Sequence, residues 1–439
     1  MTSQTKNKAD LLVCGTVLTL DKDNTVIKKG AVAVADDIII AIDREERLRA
    51  EYPGIECLTA EKALVMPGLI NVHTHAPMSC LRGIADDLPL MTWLQEYIFP
   101  REAGLTSEIV YQSTRLSALE MIRSGTTGFC DMYLFAKDVA RATVESGMRA
   151  WIGEGMFDFP SPNYGEPDAG LVYVDELFEL YRDHSLINIT TDPHSTYTCS
   201  PELLTRVREQ ADRHNALFVI HLSENTDEVE NIKKQYGRTP VNHLDSLGLL
   251  DSRVVAAHCV VLTDDEIKLL ARREVKVAHC PESNMKLASG VAPVPALLAA
   301  GVTVGLGTDG CASNNDVDMF GEMDSAAKLH KVHLLDPTVM NAAQTLKLAT
   351  MGGAGLLGAE QMIGSLEPGK KADIIVLELN QPHLTPLYNI PSHLVYGARG
   401  ADVVHSIING QIVMRNRNVI TLDQEEIMAE MTKISEEFS

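Results

Sequence analysis

The chain lacks several features that would place it in well-defined functional classes. It has 38 Lys and Arg against 60 Asp and Glu, a net charge of −22. This argues against a nucleic-acid or anionic-membrane partner, because both need a basic protein face. It has no apolar run of about 18 residues that would span a membrane. Small neutral or cationic ligands remain open. Residues 1–8 are polar and lack the apolar core of a signal peptide, so we expect a cytoplasmic protein.

Cysteine pairs at metal-binding or redox spacing are also missing. The eight cysteines are scattered and contain no Cys-x-x-Cys pair, which argues against a zinc knuckle and a dithiol redox motif. We expect reduced and mostly buried thiols.

The middle of the chain differs from its two ends. Both ends are rich in short strand-like runs. Between about Val65 and Gly364, apolar strands alternate with helical stretches, which is typical of βαβ units and a parallel sheet. Eight strands are predicted in this part: Val65–His73, Thr127–Met132, Arg149–Gly153, Ile187–Asp192, Leu217–Leu222, Val254–His258, Val275–His279 and Val302–Gly307.

Eight such units in about 300 residues predict an α/β fold of the TIM-barrel type, with catalytic groups at the C-terminal strand ends. A doubly wound open sheet is the alternative, but no Gly-rich dinucleotide turn follows the first strand. Residues 76–106 form an unusually long connection, predicted to be a loop that shapes a substrate site. Helices are predicted over Ser107–Ser124, Pro201–Asn215 and Thr263–Glu274.

Side chains that can bind a metal ion lie at the ends of several predicted strands. His73 and His75 are two residues apart, so on a strand both point to the same face. A lone histidine is more often a core or surface residue than a metal ligand. Polar residues at the ends of strands one, five, six, seven and eight together, however, are poorly explained by packing. We predict one divalent ion, with Zn²⁺ favoured and Fe²⁺ or Mn²⁺ as alternatives. The predicted ligands are His73, His75, His221 and Asp309.

Three residues are predicted to carry the chemistry. A metal ion in such a site lowers the pKa of bound water to about 7 and so supplies hydroxide at neutral pH. Asp309 can accept the proton of that water, and His258 can hold the hydroxide or polarise the leaving centre. Glu224 lies three residues past His221 and is the predicted general acid and base.

Three motifs resemble the amidohydrolase superfamily: PGLINVHTH at 67–75, HLSE at 221–224 and GTDG at 307–310. The resemblance implies a distorted (β/α)8 barrel over residues 66–364, beside a composite β-sandwich built from residues 1–65 plus 365–439. Binuclear members carry a modified lysine on the fourth strand. That strand has no lysine here, so the resemblance implies one metal ion.

Within the superfamily, further motifs resemble the deaminases of 5′-methylthioadenosine and S-adenosylhomocysteine. These motifs are residues 77–83, 91–94, 100–102, 193–200 and 279–290. The implied reaction is hydrolytic deamination of the adenine ring to the inosine analogue and ammonia, with adenosine left open as a substrate. Glu102 would bind the ribose hydroxyls, His194 a purine ring nitrogen, and Trp93 would form an apolar wall. Relatives often form dimers or tetramers.

One position departs from the expected pattern. Members that act on S-adenosylhomocysteine are expected to carry an arginine for the amino-acid carboxylate after the third strand, where Met156 stands. Arg82 or Arg149 could substitute for it; otherwise the uncharged thioether substrate is preferred. The alternatives to a nucleoside deaminase are a guanine or cytosine deaminase, a triazine chlorohydrolase and, remotely, a non-catalytic scaffold.

Overall fold

The computed structural model describes residues 8–438. Its strands are β1 (Leu11–Leu18), β2 (Val26–Ala35), β3 (Ile38–Arg44), β4 (Cys57–Leu58), β5 (Ala63–Pro67), β6 (Leu69–Thr74), β7 (Thr126–Tyr133), β8 (Arg149–Met156), β9 (Ile187–Ile189), β10 (Asp192–Pro193), β11 (Phe218–Leu222), β12 (Val254–His258), β13 (Lys276–His279), β14 (Val304–Leu306), β15 (Ile374–Glu378), β16 (Val403–Ile408), β17 (Gln411–Arg415) and β18 (Asn418–Val419).

The α-helices are α1 (Glu45–Glu51), α2 (Leu90–Thr92), α3 (Phe99–Glu102), α4 (Ser107–Arg123), α5 (Ala136–Ser146), α6 (Pro167–Leu180), α7 (Pro201–His214), α8 (Thr226–Tyr236), α9 (Pro240–Ser246), α10 (Asp264–Arg272), α11 (Pro281–Lys286), α12 (Val294–Ala299), α13 (Met319–Leu334), α14 (Ala342–Lys347), α15 (Gly353–Leu356), α16 (Ile390–Tyr396) and α17 (Gln424–Phe438). Short 3₁₀ and π-helical turns complete the list: Ala76–Leu81, Trp93–Ile98, Leu348–Gly352, Pro382–Leu384 and Gly400–Asp402.

Strands from both ends of the chain join in one nine-stranded sheet. Its order is β18-β17-β16-β15-β5-β1-β2-β3, with β4 beside β1. The ladder between β15 and β5 is antiparallel and ties the C-terminal strands to the N-terminal ones. One cluster of buried apolar residues draws on both ends, including Val13, Val32, Val65 and Val376.

The middle of the chain forms two parallel sheets, as the alternation of strands and helices predicts. In one, β6, β7 and β8 are neighbours, and both β9 and β10 pair with β8; in the other the order is β11-β12-β13-β14. Backbone hydrogen bonds join the two sheets at both edges. At one edge His221 N–H donates to the carbonyl of His194 at 3.0 Å, and at the other Asp309 N–H donates to that of His73 at 3.0 Å. The C-terminal ends of these strands therefore meet in one region.

Two predicted strands are wrong in their extent. The predicted strand Val65–His73 is divided at Gly68: β5 belongs to the nine-stranded sheet and β6 to a parallel sheet. A Cβ atom at Gly68 would lie 2.0 Å from Thr127 Oγ1, so only glycine allows the two strands to pass this closely. The predicted strand Ile187–Asp192 is likewise interrupted and forms β9 and β10.

The connection over residues 76–106 is not an irregular loop, as predicted, but mostly helical. It contains the 3₁₀ turn Ala76–Leu81, α2, the π-helical turn Trp93–Ile98 and α3. Buried apolar side chains such as Leu81, Leu94 and Ile98 pack it into the main core. Tertiary packing therefore stabilises helical turns that are too short to be stable alone. The three predicted helices are present as α4, α7 and α10, with ends one or two residues from the predicted bounds.

One prediction about the cysteines is wrong. Cys14 on β1 and Cys57 on β4 are joined by a disulfide with a Cα–Cα distance of 6.2 Å. Pairing of β1 with β4 brings these two residues together across 43 positions of sequence, a contact that spacing alone does not reveal. The other six cysteines are free, and five of them are buried.

Among residues 8–438, no helix is both long enough and apolar enough to cross a membrane.

Candidate active site

Four histidines and one carboxylate converge at the C-terminal ends of the parallel strands. His73 lies on β6 and His75 directly follows it. The Nε2 atoms of these two residues lie 3.5 and 3.1 Å from Asp309 Oδ1. His221 is the penultimate residue of β11, and its Nε2 is 3.2 Å from His75 Nε2. His258 ends β12. His73, His221, His258 and Asp309 each offer an atom within 4.8 Å of the others.

Hydrogen bonds to the outer ring nitrogens orient three of these imidazoles. The Nδ1 atom of His221 donates to the carbonyl of His194 at 2.8 Å, and that of His75 donates to the carbonyl of Met132. His258 Nδ1 lies 3.0 Å from Asn284 Oδ1. Each bond leaves the Nε2 lone pair facing the cluster, as in metal sites whose histidines donate their other ring N–H to a carbonyl.

The carboxylate of Asp309 is held on one side only. Its Oδ2 accepts hydrogen bonds from the hydroxyls of Ser283 at 2.6 Å and Ser313 at 2.8 Å. Its Oδ1 and both ring nitrogens of His73 are buried and make no hydrogen bond in the described part of the chain. Buried polar atoms without a partner are costly. Because His73 Nε2 lies 3.5 Å from Asp309 Oδ1, the donor set fits a divalent cation.

Protonation states agree with this fit. Burial lowers the pKa of His73 to about 4 and that of His221 well below its usual range, so both imidazoles are neutral and able to bind a metal. Burial raises the pKa of Asp309, but the adjacent rings of His73 and His75 and the charge of His75 outweigh it and keep the pKa well below normal. Burial lowers the pKa of His75, whereas Asp309 raises it to about 9. A cation bound here would replace that proton.

A pocket of about 630 Å³ of empty volume opens onto this cluster. It is lined by all the other predicted site residues: Glu224, Glu102, His194 and Trp93. Glu224 follows β11 and is 6% exposed. Burial raises the pKa of Glu224, and the charge of His258 opposes this rise. Glu102, at the end of α3, also has a pKa raised by burial, opposed by the Tyr133 hydroxyl.

His194 follows β10 at the wall of the pocket. Burial lowers its pKa to about 3. Its Nδ1 lies 2.9 Å from Thr198 Oγ1 and 3.2 Å from Ser195 Oγ, so these hydroxyls fix the ring plane. The imidazole is therefore neutral and held in a set orientation.

The residues that orient the site carry no sequence pattern that predicts this role. Ser283 and Asn284 lie on α11, directly after β13, and Ser313 lies four residues past Asp309. The motif over residues 279–290 contains Ser283 and Asn284, but it does not indicate which side chains they contact. His279, another strand-end histidine, does not join the cluster, because its Nε2 lies 3.1 Å from Nε2 of His330 on α13.

Comparisons with known proteins agree with the motifs. A profile of the amidohydrolase family matches residues 64–413. The chain is 53% identical over 430 residues to a 5-methylthioadenosine/S-adenosylhomocysteine deaminase of Syntrophobacter fumaroxidans, which covers 98% of both chains. It is 46% identical over 432 residues to a protein of the same name, numbered 1, from Syntrophus aciditrophicus, again covering 98% of both chains.

Solved structures show the same fold. A crystal structure of an adenosine deaminase from Xanthomonas campestris with bound zinc superposes with a TM-score of 0.96 at 40% identity, covering 98% of this chain and 99% of that one. A triazine hydrolase from Arthrobacter aurescens superposes with a TM-score of 0.91 at 24% identity, over 98% of this chain and 100% of that one. The family predicted from the motifs is thus confirmed: the chain belongs to the amidohydrolase family.

Proposed function

We propose that the chain is a metal-dependent hydrolase that deaminates the adenine ring of 5′-methylthioadenosine to the inosine analogue and ammonia. The observation that carries the proposal is one pocket in which Glu224 and the histidine and aspartate cluster face Glu102 and His194. The names of the relatives at 53% and 46% identity support the same reaction.

We assign one ion, held by His73, His75, His221 and Asp309. His258 is the remaining member of the cluster, and its Nε2 faces the same centre. Three imidazoles and one carboxylate suit Zn²⁺, with Fe²⁺ and Mn²⁺ as alternatives. The zinc in the Xanthomonas campestris structure supports this preference.

The chain supplies positioned proton carriers for the reaction. When bound, the ion would lower the pKa of a water molecule and so supply the nucleophile at neutral pH. His258 and Asp309 would orient a water molecule against the amino-bearing carbon of adenine, and Asp309 would accept its proton. Glu224 donates a proton to the adjacent ring nitrogen, which favours attack. The carbon–nitrogen bond then breaks as the proton held by Asp309 passes to the amino group, which leaves as ammonia. The proton of the added hydroxyl returns to Glu224, which leaves the ring carbonyl of the inosine analogue.

Glu102 and His194 select a purine nucleoside. The two oxygens of Glu102 can accept hydrogen bonds from the 2′ and 3′ ribose hydroxyls. The Nδ1 of His194 contacts hydroxyls, which leaves its Nε2 for a purine ring nitrogen. Trp93, 5% exposed, forms part of the wall beside the sugar.

Glu102→Ala is expected to lower kcat/KM for adenine nucleosides by about 10²- to 10³-fold, because two hydrogen bonds to a charged group are lost. Ammonia release from 5′-methylthioadenosine and from free ring substrates such as guanine measures the effect. Glu96→Ala, an exposed carboxylate on the neighbouring turn, is the control. An unchanged kcat/KM for the nucleoside would instead favour a guanine, cytosine or triazine hydrolase, which needs no ribose contact.

We further propose that the uncharged thioether is preferred over S-adenosylhomocysteine. No Lys or Arg lines the described pocket, and its apolar lining residues include Leu90, Leu94, Ile98, Phe99, Leu134 and Phe157. Arg149 is fully buried and bonds to Asp373 at 2.7 and 3.1 Å. Arg82 pairs with Glu120 and is not among the residues that line the pocket.

Because the amino-acid carboxylate would find no cationic partner, kcat/KM is expected to be at least about 10-fold higher for 5′-methylthioadenosine than for S-adenosylhomocysteine. Ammonia release at equal concentrations of the two nucleosides measures the ratio. A preference for S-adenosylhomocysteine would contradict this assignment of the pocket.

We also propose that the two parallel sheets close into a distorted (β/α)8 barrel over residues 66–364, beside a composite β-sandwich of residues 1–65 plus 365–439. The first seven residues lie outside the described part of the chain. The hydrogen bonds that join the sheets at both edges support closure. A cytoplasmic location and a dimeric or tetrameric assembly complete the proposal.

A further inference from the structure

A second buried carboxylate lies behind Glu224. Glu228 is on α8 and is 5% exposed. Its Oε2 accepts a hydrogen bond from the backbone N–H of Glu224 at 2.7 Å. Its Oε1 accepts one from the N–H of Ser223 at 3.1 Å and one from the Thr196 hydroxyl at 3.2 Å. One carboxylate thus holds two successive backbone amides and ties them to the neighbouring strand end.

The turn that Glu228 holds has an unfavourable backbone conformation. Ser223 has a φ of +52°, in the left-handed region that residues with a Cβ rarely adopt. Such a conformation persists only where the surrounding contacts impose it. The carboxylate of Glu224 makes no hydrogen bond in the described part of the chain, so the direction of its side chain depends on this turn.

Glu228 is not needed to cap its own helix. Asn225 is the N-cap of α8, and its side chain accepts a hydrogen bond from the N–H of Glu228 at 2.8 Å. A glutamate at the third helical position usually bonds back to the N–H of the N-cap residue. Here the carboxylate bonds instead to the amides one and two residues before the N-cap.

We infer that Glu228 is a positioning residue for Glu224: it fixes the turn over residues 223–224 so that the Glu224 carboxylate faces the substrate. The inference rests on the proposed function, because it assigns Glu228 to the group that moves the proton. Displacement of a reacting group by about 1 Å can cost about 10²-fold in rate. The effect of Glu228 should therefore appear in kcat and should depend on Glu224.

A double-mutant cycle tests this dependence. Glu228→Gln keeps the size of the side chain but presents an NH₂ group to one of the two amides. It is expected to lower kcat for 5′-methylthioadenosine by about 10- to 10²-fold, with KM, metal content and thermal unfolding little changed. In the Glu224→Gln background the same substitution should have no further effect. Glu230→Gln, exposed on the same helix, should leave kcat unchanged in both backgrounds.

Thr196→Val provides a second arm in case Glu228→Gln does not fold. It removes one hydrogen bond to Glu228 and is expected to cause a smaller loss of kcat that also disappears in the Glu224→Gln background. The inference, but not the proposed function, would be overturned if Glu228→Gln lowered kcat equally in the wild-type and Glu224→Gln backgrounds. It would also be overturned if a folded Glu228→Gln protein showed no loss of kcat. A metal-loaded wild-type chain inactive on every nucleoside would overturn the proposed function and this inference together.

Discussion

Glu224→Gln is expected to lower kcat for 5′-methylthioadenosine by about 10²- to 10⁴-fold while the protein keeps its metal. Glutamine fills the same space but cannot donate a proton to the ring nitrogen. Burial raises the pKa of Glu224, which brings it closer to the range where a carboxyl both takes and gives a proton at neutral pH. Steady-state ammonia release, with metal analysis of the same sample, measures the effect.

Glu230→Gln serves as the matched control, since it makes the same change at an exposed position of α8. Near-normal kcat in Glu224→Gln at full metal content would remove Glu224 from the mechanism. A loss of metal together with activity would instead assign the residue a role in holding the cluster.

Removal of the metal is expected to abolish activity, and Zn²⁺ should restore it. In the described structure, the buried atoms of His73 and Asp309 have no hydrogen-bond partner that could take the place of the ion. A bound ion should also raise thermal stability, by about 2.7 kcal/mol at a ligand concentration 100 times Kd. Thermal unfolding with and without chelator measures this shift independently of turnover, and Fe²⁺ and Mn²⁺ can be compared in the same assay.

Asp309→Asn should weaken metal binding by at least about 10²-fold, because it removes the one anionic ligand of the cluster. Loss of a residue that only supports a ligand already weakens metal binding by about 10- to 10²-fold, and loss of the ligand charge should weaken it more. Asp183→Asn, at an exposed position, is the control and should leave the metal-dependent shift in unfolding temperature intact. An Asp309→Asn protein with unchanged metal affinity would contradict the ligand assignment.

Much of the central fold could be predicted from strand patterning alone. The strand Val254–His258 has the predicted bounds, and the predicted strand Leu217–Leu222 differs from β11 by one residue. These strands are buried throughout and are apolar except for one histidine at or next to the last residue. The division at Gly68 could not be predicted, because it depends on the approach of Thr127 from another strand.

For the candidate site, sequence reasoning found the groups that face the pocket but not those that hold them in place. His73, His75, His221, His258 and Asp309 were recognisable because each lies near or just past the C-terminal end of a strand, and all such ends meet at one edge. Ser283 and Ser313 were not, since their contacts to Asp309 span 26 and 4 residues and a serine carries no strong pattern. The same holds for the Cys14–Cys57 disulfide, whose partners meet only through the pairing of β1 with β4.

The most direct test of the account is ammonia release by the metal-loaded wild-type protein, measured in parallel with 5′-methylthioadenosine, S-adenosylhomocysteine, adenosine, guanine and a melamine-type triazine. We predict one ammonia and one 5′-methylthioinosine per 5′-methylthioadenosine consumed, with the highest kcat/KM for that substrate. Ammonia release from guanine or the triazine alone, or from none of the five by protein with a full complement of metal, would contradict it.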